Sequence, residues 1–300
     1  MADERGVSRV IKHRLGYRHL DPIPDDAELE DFYQSAYIDL VRQGRRFPEL
    51  TRLLAEDREA EAEQVWLRTT LHADLIDALD RQIGRRSKVL WDVGCGIGEF
   101  VASARDAGWA ATGLEPSEEA TAIARRKGRE VVCATLEGYV AAGASARSPA
   151  AIVLMNVLEH VTDPLGLLTI VHDALGAGGA VAVRVPNDFN PLQHVAQTQL
   201  GLEPWWIAAP DHINYFDHES LRRVLDAAGF DVVDQWGDFP MELFLLMGDD
   251  YVSDPSVGPK CHARRRRFEL GLDADQRRAF DRSLVPLGWG RNTIAVALAR

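Results

Sequence analysis

The strongest chemical pattern in the chain is Leu90-Trp91-Asp92-Val93-Gly94-Cys95-Gly96-Ile97-Gly98-Glu99-Phe100. An apolar run enters a turn of alternating glycines, and a helical pattern follows. Glycine at Gly94 and Gly96 lets the backbone turn sharply and approach a ligand closely. Alone, such a turn is a weak signal, because a plain strand-to-helix connection also uses glycine. The spacing is GxGxG, and Glu99 stands where a dinucleotide motif has its third glycine. A carboxylate there opposes a pyrophosphate, which the dinucleotide fold seats at this helix N-terminus. Asp92, just before the turn, suits a cationic or amine-bearing ligand. A second signal, Gly113-Leu114-Glu115-Pro116-Ser117, ends the next apolar run with a carboxylate. It follows the loop by about 20 residues, where nucleotide-binding folds grip a ribose diol.

These residues need elements to hold them. From residue 88 short apolar runs alternate with helical patterns. The runs at 89–93, 111–114, 131–134, 151–155, 181–185, 230–233 and 294–298 read as strands. Segments 100–107, 118–127, 164–175 and 221–228 read as helices. Such alternation predicts an α/β fold with a mostly parallel sheet covered on both faces. Residues 1–86 read as a mostly helical extension, with apolar spacing of three and four in 25–36 and 61–83 and a helix stop at Gly84. Residues 87–236 read as the ligand-binding domain. Residues 237–290 read as an inserted cap, helical at 261–270 and 275–287, before a last strand in 291–300 rejoins the sheet.

Bulk properties bound the function. The 300 residues are 46% hydrophobic and 27% charged, with a net charge of -12. That balance fills a sizeable core and argues against a dedicated nucleic-acid binder. Cys95, Cys133 and Cys261 show neither disulfide-framework nor zinc-thiolate spacing. The first residues, MADERGVSRVIKHR, lack the apolar core of a signal peptide, and no apolar run is long enough to span a bilayer. These features predict a cytoplasmic protein without a membrane partner. Oligomeric state is open.

S-adenosylmethionine, with its amino-acid part, its sulfonium charge and no phosphate, fits the glycine loop. Here the chain resembles the class I S-adenosylmethionine-dependent methyltransferases, in particular the small-molecule group that includes ubiquinone-pathway enzymes. Residues 91–100 resemble the family's first motif and 113–116 its second. Thr135-Leu136-Glu137 is similar to the segment over the adenine. Asn156-Val157-Leu158-Glu159-His160-Val161-Thr162-Asp163-Pro164 resembles the segment facing donor and acceptor. His212-Ile213-Asn214-Tyr215-Phe216 and residues 221–230 resemble the group's late stretch. The resemblance covers roughly residues 87–236. It implies a Rossmann-like, doubly wound, seven-stranded sheet whose last strand inserts antiparallel. It implies donor contacts from Asp92, Gly94, Cys95, Gly96, Gly98, Glu115, Pro116, Thr135, Leu136, Glu137 and Asn156. The lead-in segments 20–22 and 32–37 are similar to those of bacterial methyltransferases acting on sugars or cell-surface precursors.

Methyl transfer is an in-line displacement, so the protein mainly aligns nucleophile and donor. A hydroxyl or protonated amine acceptor gains from a base. His160 is the first candidate; the other reading is a helix-start histidine bonded to the backbone. His212 is the second, on an aromatic loop with Trp205, Trp206 and Tyr215, and Asp211 could orient it. The plain alternative is that the aromatics pack the loop down. Related metal-dependent enzymes carry an acid where this chain has Asn156, a poorer ligand, so no metal is expected. The run Arg264-Arg265-Arg266-Arg267 fits an anionic acceptor; the commoner reading of such a run is a solvated helix face, which is favoured. The expected function is methylation of a small molecule, at a hydroxyl of a sugar or secondary-metabolite intermediate. N- or C-methylation, an NAD-dependent oxidoreductase and a non-catalytic donor-binding subunit are the alternatives.

Overall fold

The computed structural model describes residues 9–25, 57–84, 87–143 and 148–300. The segments 25–36 and 32–37 singled out above lie almost wholly outside the described residues. The first described elements are strands, not helices. Strand β1 (Arg9–Lys12) turns back into β2 (Arg18–Asp21). Helix α1 (Arg58–Leu67), a π-helical turn (Arg68–His72) and α2 (Ala73–Ile83) then run on as one rod, as the apolar spacing predicts. The rod stops at Gly84, whose φ of 58° is costly for residues with a Cβ.

The sheet-forming elements follow in chain order: β3 (Val89–Val93), α3 (Glu99–Asp106), β4 (Ala110–Leu114), α4 (Glu118–Arg126), β5 (Val131–Val132), α5 (Leu136–Ala141), β6 (Ala151–Met155), α6 (Pro164–Leu175), β7 (Ala180–Pro186) and α7 (Pro191–Leu200). After these come β8 (Asn214–Tyr215), α8 (His218–Ala227), β9 (Phe230–Gly237), α9 (Glu242–Leu246), α10 (Gly258–Gly271), α11 (Ala274–Leu284) and β10 (Asn292–Ala299). Seven strands form one sheet in the order β5-β4-β3-β6-β7-β10-β9. β10 is antiparallel to both neighbours, with Ala295 opposite Val183 on one side and Gln235 on the other. The doubly wound sheet and the reversed last strand are as the resemblance implies.

Strand alternation builds two cores. Ile152, Leu154, Val181 and Val183 point to one face, covered by Leu168 and Val171 of α6 and Leu221 and Val224 of α8. Ala151, Val153, Ala180 and Ala182 point to the other, covered by Leu75 and Leu79 of α2 and Phe100 and Ala104 of α3. Both faces are buried, so the strands read as unbroken apolar runs. Helix starts are set by short polar side chains: Asp163 accepts from the Gly166 N–H, and Asn190 forms a capping box with Gln193.

The insertion is held to the rest of the chain by its two longer helices. α10 and α11 pack back on the N-terminal rod and on β9, the edge strand. Arg277 and Arg278 both bond Asp74 of α2, and Arg282 bonds Asp234 of β9. The arginine run is spent in the same way. Arg264 pairs with Asp249, Arg265 with Asp238 and Glu269, and Arg266 with Glu59 and Glu63. Arg265 and Arg266 are buried in ion pairs, while Arg264 and Arg267 are exposed, so half of the run is a solvated face and half is internal. The two partners of Arg266 sit some two hundred positions earlier, on α1.

Asp238, just after β9, joins these pieces. Its carboxylate accepts from the Asn292 N–H and Nδ2, each at 2.7 Å, and from Arg265 Nη2 at 3.1 Å, and lies 3.6 Å from Arg184 Nη2. Burial by itself would raise its pKa; Arg265, Arg184 and Asn292 outweigh that and hold it below 3.8. The ionised carboxylate therefore contributes stability that is complete above pH 3.8 and fades as pH falls through the lower folded-state value. Removing one partner of such a pair strands the other. Asp238→Asn should lower unfolding free energy by about 3 kcal/mol at pH 7. Urea titrations of both proteins should show the gap narrowing near pH 3; a gap unchanged with pH would refute the assignment.

Candidate active site

The parallel strands end on one edge of the sheet, the place where open α/β sheets bind ligands. The glycine loop leaves β3 there. Gly94, Gly96 and Gly98 have φ of 68°, 54° and 76°, conformations that L side chains rarely adopt. A Cβ on Gly96 would meet nothing within 4 Å, so the loop has an open side. A Cβ on Gly113 would instead collide with Cys95 Sγ, which fills the space over β4. Cys95 is thus a packing group at this turn, and burial pushes its thiol pKa up.

Glu115 ends β4 and ties the loop to it. Its carboxylate accepts from the Gly96 N–H and the Ser117 N–H, each at 2.9 Å. Burial raises the Glu115 pKa, and those two bonds lower it in part. Asp92 lies beneath, 1% exposed, with no hydrogen-bond partner for Oδ1 among the described residues. Burial, then the Glu115 charge, pushes its pKa up to about 8. Two buried carboxyls beneath a loop with an open side suit a cationic ligand.

Glu99 acts differently from its sequence reading. It bonds Arg129 at 2.6 Å, and Arg129 also holds the Ile97 carbonyl. Its charge is neutralised inside the fold. Pro116 offers its carbonyl to the Cys133 thiol. Thr135 caps α5 through the Gly138 N–H, while Leu136, 1% exposed, belongs to the core. Of that trio only Glu137 lines a cleft of about 460 Å³, together with His160, Val161, Thr162, Asp163, Gly166 and their neighbours.

Asn156, with φ of 58°, opens the loop after β6. Its Nδ2 donates to Glu159 at 2.9 Å, and its carbonyl accepts from Arg184. The carboxamide is therefore committed to the wall of the site. Glu159 is fully enclosed, and burial raises its pKa. Arg184 went unnoticed in the sequence, although a lone cation within the run Ala180–Pro186 was a signal. The turn after β7 was missed too: Asp188 is buried with its pKa raised to about 8, mainly by that burial, beside Phe189 at φ 57°.

His160, Asp211 and His212 come together. His160 Nδ1 lies 2.7 Å from the Asp211 carbonyl, and the two imidazole rings meet edge to face at 4.9 Å. One donor atom from each of the three residues lies within 4.8 Å of the others. The loops carrying them are clamped. Asn214 Nδ2 donates to the Leu158 and Val161 carbonyls, and the Ile213 and Asn214 N–H groups both donate to the Glu159 carbonyl. From the other side β2 pairs with β8, Arg18 opposite Tyr215, and the Leu20 N–H donates to the Ile213 carbonyl. Asp211 thus orients His160 through its backbone, whereas the sequence suggested that it orients its neighbour His212. Tyr215 is 1% exposed; its hydroxyl accepts from the Ala208 N–H at 3.3 Å and its ring meets Phe189. That is a packing role, as is the edge-to-face stacking of Trp205 on Trp206.

A family model described as "Methyltransferase domain" matches residues 66–235, more than half of the chain. The chain belongs to the methyltransferase-domain family. Membership removes the oxidoreductase alternative and makes S-adenosylmethionine the cofactor. A ubiquinone biosynthesis O-methyltransferase of Dinoroseobacter shibae is 31% identical over 156 residues, 49% of this chain and 61% of that protein. One of the same description from Aeromonas salmonicida is 27% identical over 166 residues, 53% of this chain and 69% of that protein. The match therefore spans only about three fifths of the Dinoroseobacter relative. Magnesium protoporphyrin IX methyltransferase from Synechocystis PCC 6803, solved with bound SAH, shares the fold with a TM-score of 0.53 at 12% identity, covering 92% of this chain and 100% of that one. No helix among the described residues is long and apolar enough to cross a membrane.

We expect the glycine loop to hold the donor, and the raised Asp92 pKa then makes donor binding depend on pH. Below about 8 the empty site holds Asp92 mostly protonated, and a cationic donor favours the carboxylate, so binding releases a proton. Donor affinity should rise as pH rises from 6 to 7.5, by up to about tenfold per unit. Asp92→Asn should flatten that slope. Calorimetry in buffers of different ionisation heat measures it; equal slopes in both proteins would refute the coupling.

Proposed function

We propose that this chain transfers the methyl group of S-adenosylmethionine to a hydroxyl of a small-molecule acceptor. The observation that carries this reading is the His160–Asp211–His212 cluster, whose His160 lines the cleft together with Glu137. A hydroxyl is a poor nucleophile until its proton leaves, and a cluster of imidazoles and a carboxylate supplies that service. His160 Nδ1–H donates to the Asp211 carbonyl at 2.7 Å, which fixes the orientation of the ring at the cleft. The likeness to ubiquinone biosynthesis O-methyltransferases supports oxygen as the acceptor atom. The committed arginine run offers no support for an anionic acceptor.

The donor side aligns the methyl group, and the cluster readies the oxygen. His160→Ala should therefore leave donor affinity unchanged and lower kcat by ~10²–10⁴-fold. The defect should shrink as pH rises and the hydroxyl ionises by itself. The acceptor is found first, by following labelled methyl from the donor into a metabolite extract. Then kcat against pH is compared for both proteins, with melting checked in parallel. Near-full kcat in a folded His160→Ala protein would overturn the role of the cluster.

A further inference from the structure

We propose that Arg184 is a positioning residue for methyl transfer: from β7 it holds the left-handed turn at Asn156 that seats the loop after β6 against the glycine loop. The proposal rests on the expectation that the glycine loop binds the donor. Arg184 is the one charged residue of β7, on the face that carries Ala180 and Ala182. That strand lies inside the sheet, between β6 and β10. A cation withdrawn from water there costs stability unless its N–H groups are met. Arg184 Nη1 donates to Asn156 Oδ1, and Nη2 lies 3.6 Å from the Asp238 carboxylate. The Arg184 carbonyl accepts from the Asn156 N–H at 2.8 Å. One residue of β7 thus grips Asn156 by main chain and side chain together.

Asn156 needs such a grip. Its φ of 58° lies in the left-handed region, which among the described residues other than glycine only Phe189 shares. A Cβ crowds the backbone there, and a residue so placed persists where its surroundings over-determine it. The Asn156 carboxamide is bonded at both ends, by Arg184 at its oxygen and to Glu159 at 2.9 Å from its nitrogen. The turn delivers Val157 onto the first glycine of the loop after β3. Val157 Cγ2 would lie 2.8 Å from a Cβ on Gly94, so the two loops touch where only a glycine fits. Beyond the turn, the Glu159 carbonyl accepts from the Ile213 and Asn214 N–H groups, and His160 follows on the wall of the cleft. The turn at Asn156 therefore sets the glycine loop and the acceptor wall relative to each other.

An in-line displacement is sensitive to that placement, because its reacting atoms must be held close and aligned. A guanidinium suits the task. It is planar, always charged and forked, so it serves Asn156 and Asp238 at once, where a lysine offers a single point charge. Without it the Asn156 oxygen loses a charged donor, and the turn is free to relax toward ordinary backbone and lift Val157 from Gly94. Arg184 acts through Asn156 and needs to touch neither donor nor acceptor.

Calorimetry of S-adenosylmethionine binding to the full chain tests this. Arg184→Met keeps most of the side chain's length and removes the fork. It should weaken donor binding roughly tenfold, the scale on which left-handed backbone is disfavoured for a residue with a Cβ. Asn156→Gly supplies a residue that adopts the same φ without strain. Whatever Asn156→Gly does by itself, adding Arg184→Met to it should cost less than about threefold more, because the two residues act as one coupled unit. A merely structural arginine would lower the melting temperature and leave donor affinity unchanged, or would cost the same in both backgrounds. Either result in folded proteins overturns the proposal. If Arg184→Met fails to fold, Arg184→Lys replaces it, since it keeps a positive charge beside Asp238. A loss that disappears in the Asn156→Gly background supports the proposal; unchanged affinity, or an equal loss in both backgrounds, overturns it. Gly96→Val, which fills the open side of the loop, is measured in parallel. If it binds the donor as the parent does, the donor is not seated at the loop, and that expectation and this proposal fall together. A loss in Gly96→Val with unchanged affinity in Arg184→Met overturns the role of Arg184 alone. All of these are read without an acceptor, so a failure to find turnover bears on the functional reading alone.

Discussion

Asp238 is the point at which three separately folded parts of the chain are made to agree. Its carboxylate holds the start of β10 through Asn292, the inserted helix α10 through Arg265, and approaches Arg184 on β7. Arg184 in turn holds Asn156, and Asn156 holds Glu159. An unbroken line of charge-assisted bonds thus runs from the insertion to the wall of the candidate site. Such bonds are strong because both partners are withdrawn from water, and each is costly to leave unpaired. The insertion is bonded to β9 through Arg282 and Asp234, and to the start of β10 through Asp238.

The two halves of the site are built on different principles. The donor half is local. A strand ends, three glycines turn, a helix begins, and one carboxylate from the next strand holds the turn by two backbone N–H groups. The acceptor half is long-range. His160 follows β6, while Asp211 and His212 precede β8, and backbone bonds across some fifty positions bring them together. The β1–β2 hairpin adds a third contributor from the far end of the chain. The methyltransferase-domain match spans the residues of the proposed donor half. The acceptor half has to be argued from its own geometry, because a fold hosts many substrates.

The electrostatics follow the same division. In an acidic chain the cationic run at 264–267 invites reading as a binding patch. Carboxylates of α1 and residues 238, 249 and 269 consume most of it. The site carries buried acids instead: Asp92, Glu115, Glu159 and Asp188 all have raised pKa values, with burial the largest cause in each. Acids kept in low dielectric are poised to ionise when a cation arrives, and this suits a sulfonium donor.

The sequence by itself determined the seven-strand pattern, the glycine loop, Glu115 and the helical stretch from residue 61 to 83. Each depends on neighbours close in the chain: strand alternation, positive-φ turns and short polar caps act over a few residues, so they leave a visible period or spacing. The same locality explains the errors. The hairpin at residues 9–21 needs β8 to complete it, so its four-residue strands carried no pattern that could outweigh a helical reading. Leu136 looked like a ligand contact until its helix turned it into the core. Arg265 and Arg266 looked like a surface until Glu63 and Glu269 met them. His160 and His212 were both legible as residues, yet their meeting at 4.9 Å was not. Only the tertiary structure decided that, because the distance between two loops is set by how the sheet orders its strands and by the backbone bonds that then clamp those loops together.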